Sequence, residues 1–364
     1  MKIKIVFIIP SLRRGGVERV TTNIINCLSL ELYEIILIIC KGTEKENEMF
    51  CLLQDGVNVI YLNKNNVREA LPDIFGFIGK NEIDLIFTSF DHLSLPILVY
   101  KYLNRKKWKT IVRLNTLPSN KLISNWRSKV YTFFFKRVIK LSDFVISQSE
   151  EMKQDIMSCY GLSSDSIIAI RNIVDVNHVI NSSLEKVKKD YFNRCLYTYI
   201  AAGSLGDVKG FDILIKAVDI VVKQGFLDSQ VLIMGDNREK NEDYKSYLEN
   251  LIKERNLQEF VKLIGFQSNP YSYISNADAF VLSSRKEGFP NVVLESLVLQ
   301  KPCLVTNCVD FTNVIIEGVN GVVVPVEDPE ELAKGLIKIR DIHNVPKNTF
   351  VNFDYNNWFK EVVS

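Results

Sequence analysis

"DAFVLSSRKEGFPNVVLESLVLQKPCLVTN", residues 278–307, holds the unit that decides the fold. Residues 278–284 form a short apolar run of strand length, Gly288 supplies a turn, and Pro290 suits the first helical position, where an amide N–H would lack an intrahelical partner anyway. An apolar helical pattern then continues to about Leu299 and has to stop before Pro302. "PCLVTN" (302–307) reads as a second buried strand. Two strands joined through a helix lie parallel in one sheet, with the helix packed on its face.

The same rhythm recurs along the chain. Strands are predicted at 3–10, 33–40, 57–62, 83–89, 109–114, 143–149 and 166–172, and again at 196–203, 230–236, 261–265, 278–284, 302–307 and 320–326. β-rich runs alternating with longer helical patterns predict an α/β protein with helix-flanked parallel sheets. A chain of 364 residues exceeds one ordinary core and suits two domains. The polar, weakly periodic stretch 175–194 reads as their junction. The expected domains are therefore 1–174 and 175–349, with a last helix over 350–364 returning to the first.

Composition narrows the class. Hydrophobic content of 47% and charged content of 24% are those of a folded, soluble chain. The seven cysteines form no C-x-x-C pair and sit mostly in apolar runs, so core thiols in a reducing compartment are expected in place of a disulfide framework. "MKIKIVFIIPSLRRGG" has a basic start and a short apolar run, but it reads as a first buried strand and not as a signal peptide. No apolar run approaches the ~20 residues that would span a bilayer.

Charge is unevenly placed. Between His92 and Ser142 there is no Asp or Glu, against twelve Lys or Arg. Aromatic residues interleave with them in "NWRSKVYTFFFKRVIK" (125–140). A helix with apolar and aromatic side chains on one side and cations on the other can lie at the headgroups of an anionic bilayer, so residues 101–140 are a candidate membrane surface. A core-facing helix with a solvated basic face is the plainer alternative. Nucleic acid is not expected, since no groove-reading or base-stacking motif accompanies the charge.

Open parallel sheets bind ligands outside the carboxyl ends of their strands. Three loops after predicted strands have suitable chemistry. In "SLRRGG", Gly15 and Gly16 would let a backbone pass close to a ligand beside a helix N-terminus; the G-x-G-x-x-G fingerprint is absent, which argues against a dehydrogenase. In "AAGSLGDVKGFDILIKAV", Lys209 stands just before a helix expected over 211–223, where it can neutralise phosphate oxygens. In the third, Glu287 occupies the loop after the strand. Glu295 follows about 7 Å along a helix begun at Pro290, at ~1.5 Å per residue. Glu295 stands among Val292, Val293, Leu294, Leu297 and Val298, which leaves it little solvated face. The N–H groups near Asn291 and Val292 point outward with the helix dipole behind them. An anion hole flanked by two hydroxyl acceptors suits a diphosphate with a ribose on one side and a hexose on the other.

The E-x7-E pattern in "EGFPNVVLE", with "GSLGDVKG" upstream and "SLRRGGVERV" near the N-terminus, resembles the family-4 retaining glycosyltransferases of the GT-B fold, above all bacterial enzymes that extend lipid-linked glycans or surface polysaccharides. "DFVISQSEEMKQDI", "IRNIVD" and "GVNGVVVP" extend the resemblance to almost the whole chain. It implies two Rossmann-like doubly wound domains facing across a cleft. It implies that Glu287 binds hydroxyls of the donor sugar with the backbone of Gly288 and Phe289, and that Glu295 holds the ribose. Lys209 and the amides of Asn291 and Val292 would face the diphosphate, and Gly15 and Gly16 would close on donor phosphate or acceptor. The sequence departs from the pattern at four places. Ser204 stands where Arg is usual, with Arg285 or Lys286 as a replacement cation; Asn115 stands where an active-site His is frequent; Gln300 replaces a turn Gly, and Asn313 a frequent Glu.

The resemblance implies front-face transfer with retention, without a cofactor or metal; the sequence contains no D-x-D. The expected substrates are a nucleotide sugar, by that resemblance a UDP-sugar, and a lipid-linked glycan, at the inner face of the cytoplasmic membrane. A nucleotide-sugar epimerase or hydrolase of the same fold, and a non-catalytic nucleotide-sugar-binding partner of another transferase, are the alternatives. Ser204 and Asn115 favour the last.

Overall fold

The computed structural model describes residues 2–13, 15–119, 126–187, 191–237, 242–312, 314–347 and 353–363, and of residues 48, 126–129, 242 and 243 the backbone only. The chain divides into two compact units, Met1–Ile173 with Asn352–Ser364, and Val174–Val351.

In the first unit seven strands, β1 (Ile3–Ile9), β2 (Tyr33–Lys41), β3 (Asn58–Lys64), β4 (Leu85–Thr88), β5 (Lys109–Arg113), β6 (Phe144–Ser147) and β7 (Ile167–Ala169), form a sheet in the order β3-β2-β1-β4-β5-β6-β7. All pairs are parallel. Parallel sheets are covered on both faces, and the sequence of β1, Ile-Lys-Ile-Val-Phe-Ile-Ile, is accordingly buried without alternation from Ile5 onward. Helices α1 (Gly16–Cys27), α2 (Val67–Lys80), α3 (Asp91–Leu103), α4 (Trp126–Val138) and α5 (Glu150–Tyr160) connect the strands.

The second unit begins with α6 (Val176–Ser183). Its strands β8 (Tyr197–Ala202), β9 (Ser229–Met234), β10 (Val261–Gly265), β11 (Ala279–Leu282), β12 (Cys303–Thr306) and β13 (Gly321–Val324) are again parallel, in the order β10-β9-β8-β11-β12-β13. Its further helices are α7 (Phe211–Lys223), α8 (Glu242–Glu254), α9 (Pro270–Asn276), α10 (Asn291–Val298) and α11 (Pro329–Lys338). Each of the thirteen predicted strand runs overlaps an observed strand, with β2, β3 and β9 reaching one or two residues past the predicted bounds.

The last helix, α12 (Tyr355–Val363), packs into the core of the first unit. Tyr355, Trp358, Phe359 and Val362 are its buried residues, spaced to form one apolar stripe. Phe359 meets Tyr33 edge to face at 6.5 Å, and Asn356 fixes the register, accepting from the Ser29 N–H at 2.8 Å and donating to the Cys27 carbonyl at 2.7 Å.

In both sheets the chain turns back once. It winds outward from β1 through β2 to β3 and returns to β4 on the other side of β1; likewise it winds from β8 to β10 and returns to β11 beside β8. Loops leaving the carboxyl ends of two such neighbours diverge and open a crevice, the usual ligand site of this architecture. In the second unit those loops carry Lys209 and Glu287.

Candidate active site

Lys209 ends a short 3₁₀ turn, Asp207–Lys209, in the loop between β8 and α7. Gly210 follows in the left-handed region at φ 60°, and a Cβ there would lie 2.1 Å from the Ser283 carbonyl oxygen. Glycine thus lets the Lys209 loop rest on the end of β11. The lysine side chain passes over Gly203, where an added Cβ would sit 2.9 Å from Cε. Its Nζ reaches Glu287 Oε1 at 2.5 Å, and Ser284 Oγ donates to the same oxygen at 2.9 Å. Ser283 Oγ donates to the Lys209 carbonyl at 2.9 Å. Lys209 and Glu287, 78 positions apart, are therefore joined through side chains and backbone alike. Cys308 lies close by: burial first, and then the Glu287 charge, push its thiol up to about 11, so it stays neutral.

The helix following Glu287 starts one residue later than expected. Pro290 is the N-cap, with extended backbone, and α10 runs from Asn291 to Val298. Proline has no side-chain oxygen to cap the first turn, so that end of α10 receives no side-chain cap from it. Phe289 is buried and tilts against Phe311 at 5.8 Å, which pins the backbone of Gly288 and Phe289. Asn291 and Val292, half-buried, open the helix.

Glu295, one turn on, is 8% exposed and accepts from the Tyr271 hydroxyl at 2.9 Å. Burial of a carboxylate is costly unless hydrogen bonds compensate it, and the tyrosine supplies one. Tyr271 opens α9 and meets the His178 ring edge to face at 5.7 Å. Neither was singled out from the sequence, where an aromatic after Asn-Pro reads as core.

Arg285 is committed to protein groups. Its guanidinium forks onto Asp212, Nη1 to Oδ1 at 2.8 Å and Nη2 to Oδ2 at 2.9 Å, while Nε donates to Glu327 at 2.5 Å and Nη1 also to the Asp207 carbonyl at 2.5 Å. The hydrogen bonds it donates to Asp212 raise the guanidinium further above its ordinary range against the opposing effect of burial. Burial alone would raise the Asp212 carboxyl; Arg285, with Lys216, more than reverses this and holds it below the usual carboxylate range. Asp143, Asp219 and Asp228 are likewise depressed, the first two against burial, by Lys101 with Thr110, by Lys223 with Arg255, and by Arg340 respectively.

These depressed carboxyls make an acid-stability prediction. A lowered folded value stabilises the fold fully above the unfolded value and loses that contribution as pH falls through the folded one. Thermal melting followed from about pH 5 down to about pH 2.5 should show a falling Tm, with a shallower acid limb in Asp212→Asn. Parallel limbs for the two proteins would remove Asp212 from the account.

Ser204 is half-buried in the loop after β8. In the first unit Gly15 is the N-cap of α1 with extended backbone, the Glu18 carboxylate lies over it, and the position a Cβ would take on Gly16 is open space. Arg14 and Asn313 lie outside the described residues, as do Lys121 and the side chains of Arg127 and Lys129.

Asn115, just past β5, belongs to a polar cluster the sequence did not reveal. Its side chain accepts from Arg113 and donates to the Ser89 carbonyl; Gln148 donates to it at 3.4 Å. Arg113 also donates to Asn172. This guanidinium is 2% exposed, and burial lowers its value to about 10. Arginine in the middle of "KTIVRL" gives little sign of burial, because a strand end is equally often solvated.

The basic stretch is exposed only in part: Trp108, Arg113 and Phe135 within it are buried. Phe133 and Phe134 on α4 are 54% and 55% exposed, and Tyr102 and Leu103 at the end of α3 are 66% and 71%. Arg137 stacks over the Phe133 ring at 3.7 Å. Lys101, by contrast, pairs with Asp143. Among the described residues no helix is long and apolar enough to cross a membrane.

The sequence matches the model of Glycosyltransferase Family 4 over residues 14–178 and that of Glycosyl transferases group 1 over residues 185–349. An uncharacterized glycosyltransferase of Methanocaldococcus jannaschii is 30% identical over 244 residues, which span 65% of this chain and 58% of that protein. The N-acetylgalactosamine-N,N'-diacetylbacillosaminyl-diphospho-undecaprenol 4-alpha-N-acetylgalactosaminyltransferase of Campylobacter jejuni is 27% identical over 301 residues, 81% of this chain and 78% of the relative. Among solved structures, Anabaena HepE in complex with UDP and glucose superimposes with a TM-score of 0.78 at 17% identity, over 99% of both chains. Each half is matched by a family description, and each folds as a parallel sheet with one topological switch. The chain is a glycosyltransferase of family 4 with the GT-B fold.

Proposed function

We propose that the chain is a retaining glycosyltransferase that moves a hexose or N-acetylhexosamine from a UDP-sugar to a lipid-linked oligosaccharide or surface-polysaccharide acceptor. The observation that carries the reading is the Lys209–Glu287 contact at the crevice where β8 and β11 part. Breaking the bond between the anomeric carbon and the phosphate oxygen leaves an electron pair on the diphosphate. Lys209 and the first-turn amides of α10 stabilise that charge where it develops. Glu287 accepts hydroxyls of the donor sugar, and Glu295, steadied by Tyr271, holds the ribose. The acceptor hydroxyl attacks from the side the diphosphate leaves, and its proton passes to the departing phosphate oxygen. The residues invoked need no metal for this. The Campylobacter relative, a transferase acting by name on a diphospho-undecaprenol glycan, and the UDP-bound Anabaena structure support the choice of substrates.

The experiment is a donor screen with free UDP as readout. UDP release that rises with an undecaprenyl-diphosphate glycan in the assay supports transfer. UDP-sugar binding with no turnover under any acceptor would favour the non-catalytic reading.

The acceptor class makes a membrane location part of the proposal. Exposed Phe133, Phe134, Tyr102 and Leu103 among cations would seat the first unit at an anionic leaflet on the cytoplasmic side. Sedimentation at low salt should give stronger binding to vesicles containing phosphatidylglycerol than to phosphatidylcholine alone, and a loss of binding in Phe133→Ser/Phe134→Ser. Equal binding to both vesicle types would contradict it.

A further inference from the structure

Arg285 has the charge of a diphosphate ligand and the surroundings of a brace. Four groups of the protein take its donors: both oxygens of Asp212, the Asp207 carbonyl and Glu327. A contact of 3.2 Å to the Asp207 carboxylate is a fifth. Its own N–H donates to the Val208 carbonyl at 2.8 Å. Asp212, in the first turn of α7, is buried and held in turn by Tyr244 of α8 at 3.1 Å and Lys216 at 3.3 Å. The residues on either side of Lys209 are thus fastened to the residue two before Glu287.

We propose that Arg285 is a positioning residue: its fork onto Asp212 and the Asp207 carbonyl locks the 205–210 loop to the 283–290 loop and so presets the contact between Lys209 and Glu287. The inference rests on the reading of that contact as the donor site, and it replaces the expectation that Arg285 itself faces the diphosphate. The physical argument is geometric. A planar guanidinium that fills both carboxylate oxygens fixes distance and angle together, which an ammonium cannot do. A lysine on a loop free by about 1 Å loses much of its effect on a developing charge.

The test compares Arg285→Lys, Arg285→Gln, Asp212→Asn and Glu327→Gln with the unaltered chain by two measurements. One is the acetylation rate of the Lys209 amine read by mass spectrometry, with hydrogen exchange of the 203–210 segment. The other is UDP affinity by calorimetry. Lys209 reactivity is expected to rise about tenfold in both Arg285 variants and in Asp212→Asn, with no further rise when Arg285→Gln and Asp212→Asn are combined, since one interaction is lost only once. Glu327→Gln, which removes an outer contact, should show a smaller rise and covers the case in which the deeper variants do not fold. UDP affinity should change alike in Arg285→Lys and Arg285→Gln. The proposal is overturned if Lys209 reactivity stays at the unaltered level, or if lysine restores UDP affinity that glutamine loses, which is the signature of a phosphate-facing cation. If the unaltered chain binds no UDP, the donor-site reading fails by itself, while Lys209 reactivity still decides the brace.

Discussion

Lys209→Ala is expected to lower kcat by ~10²- to 10³-fold while the KM for the donor rises far less, because the lysine acts mainly on charge that grows as the bond to the diphosphate breaks. Before the donor arrives, Nζ lies 2.5 Å from Glu287; the negative phosphates compete for it, and the lysine meets more negative charge as the reaction proceeds. Comparing turnover and donor KM with one UDP-sugar separates the two effects. A change confined to KM would mean uniform binding and would remove Lys209 from the chemistry.

The same substitution carries a stability cost. The Lys209 and Glu287 side chains are 22% and 16% exposed, so removing the cation leaves a largely buried carboxylate that keeps the Ser284 hydroxyl hydrogen bond but has lost its counter-charge. Breaking such a pair from one side costs about 1–2 kcal/mol after discounting for the remaining solvent contact. Lys209→Met combined with Glu287→Gln should recover most of that stability and none of the turnover. Recovery of both would show that the pair serves folding alone.

The sheets were legible because a strand buried on both faces is written as an uninterrupted apolar run, and segments such as "YEIILIIC" and "DAFVLSS" have no other economical reading. Turn chemistry set most boundaries. Pro290 came out one position early because proline fits both the N-cap and the first helical residue. Gln300 stands where a turn glycine is usual in the family it resembles, and the backbone agrees, with φ at 56° in the left-handed region. Side-chain partnerships were a different matter. Arg285 or Lys286 reads as a replacement phosphate cation because charge is visible in a sequence and the partner of a charge is not; Asp212 in "KGFDILIKAV" reads only as an acid suited to a helix start. Tyr271 and Arg113 were missed for the same reason: each completes a contact across 24 or more positions, to Glu295 and to Asn172.

Glu287 should behave differently from both Lys209 and Glu295. In Glu287→Gln the side chain keeps its shape and one acceptor oxygen but loses the charge that strengthens hydrogen bonds to the donor sugar. Such charge-assisted bonds contribute about 1.5–3 kcal/mol, so kcat/KM for the UDP-sugar should fall roughly 10- to 100-fold. UDP alone has no sugar to lose, and Lys209, released from its ion pair, is freer to meet the phosphates. The affinity for UDP should therefore hold or improve while the advantage of UDP-sugar over UDP shrinks. Glu295→Gln should give the opposite division, weakening UDP and UDP-sugar together because both carry the ribose. Calorimetry with the two ligands on the two variants reads this directly. Weaker UDP binding in Glu287→Gln with turnover intact would make Glu287 a partner of Lys209 and nothing more, since a residue that grips the sugar cannot be neutral to the sugar's presence.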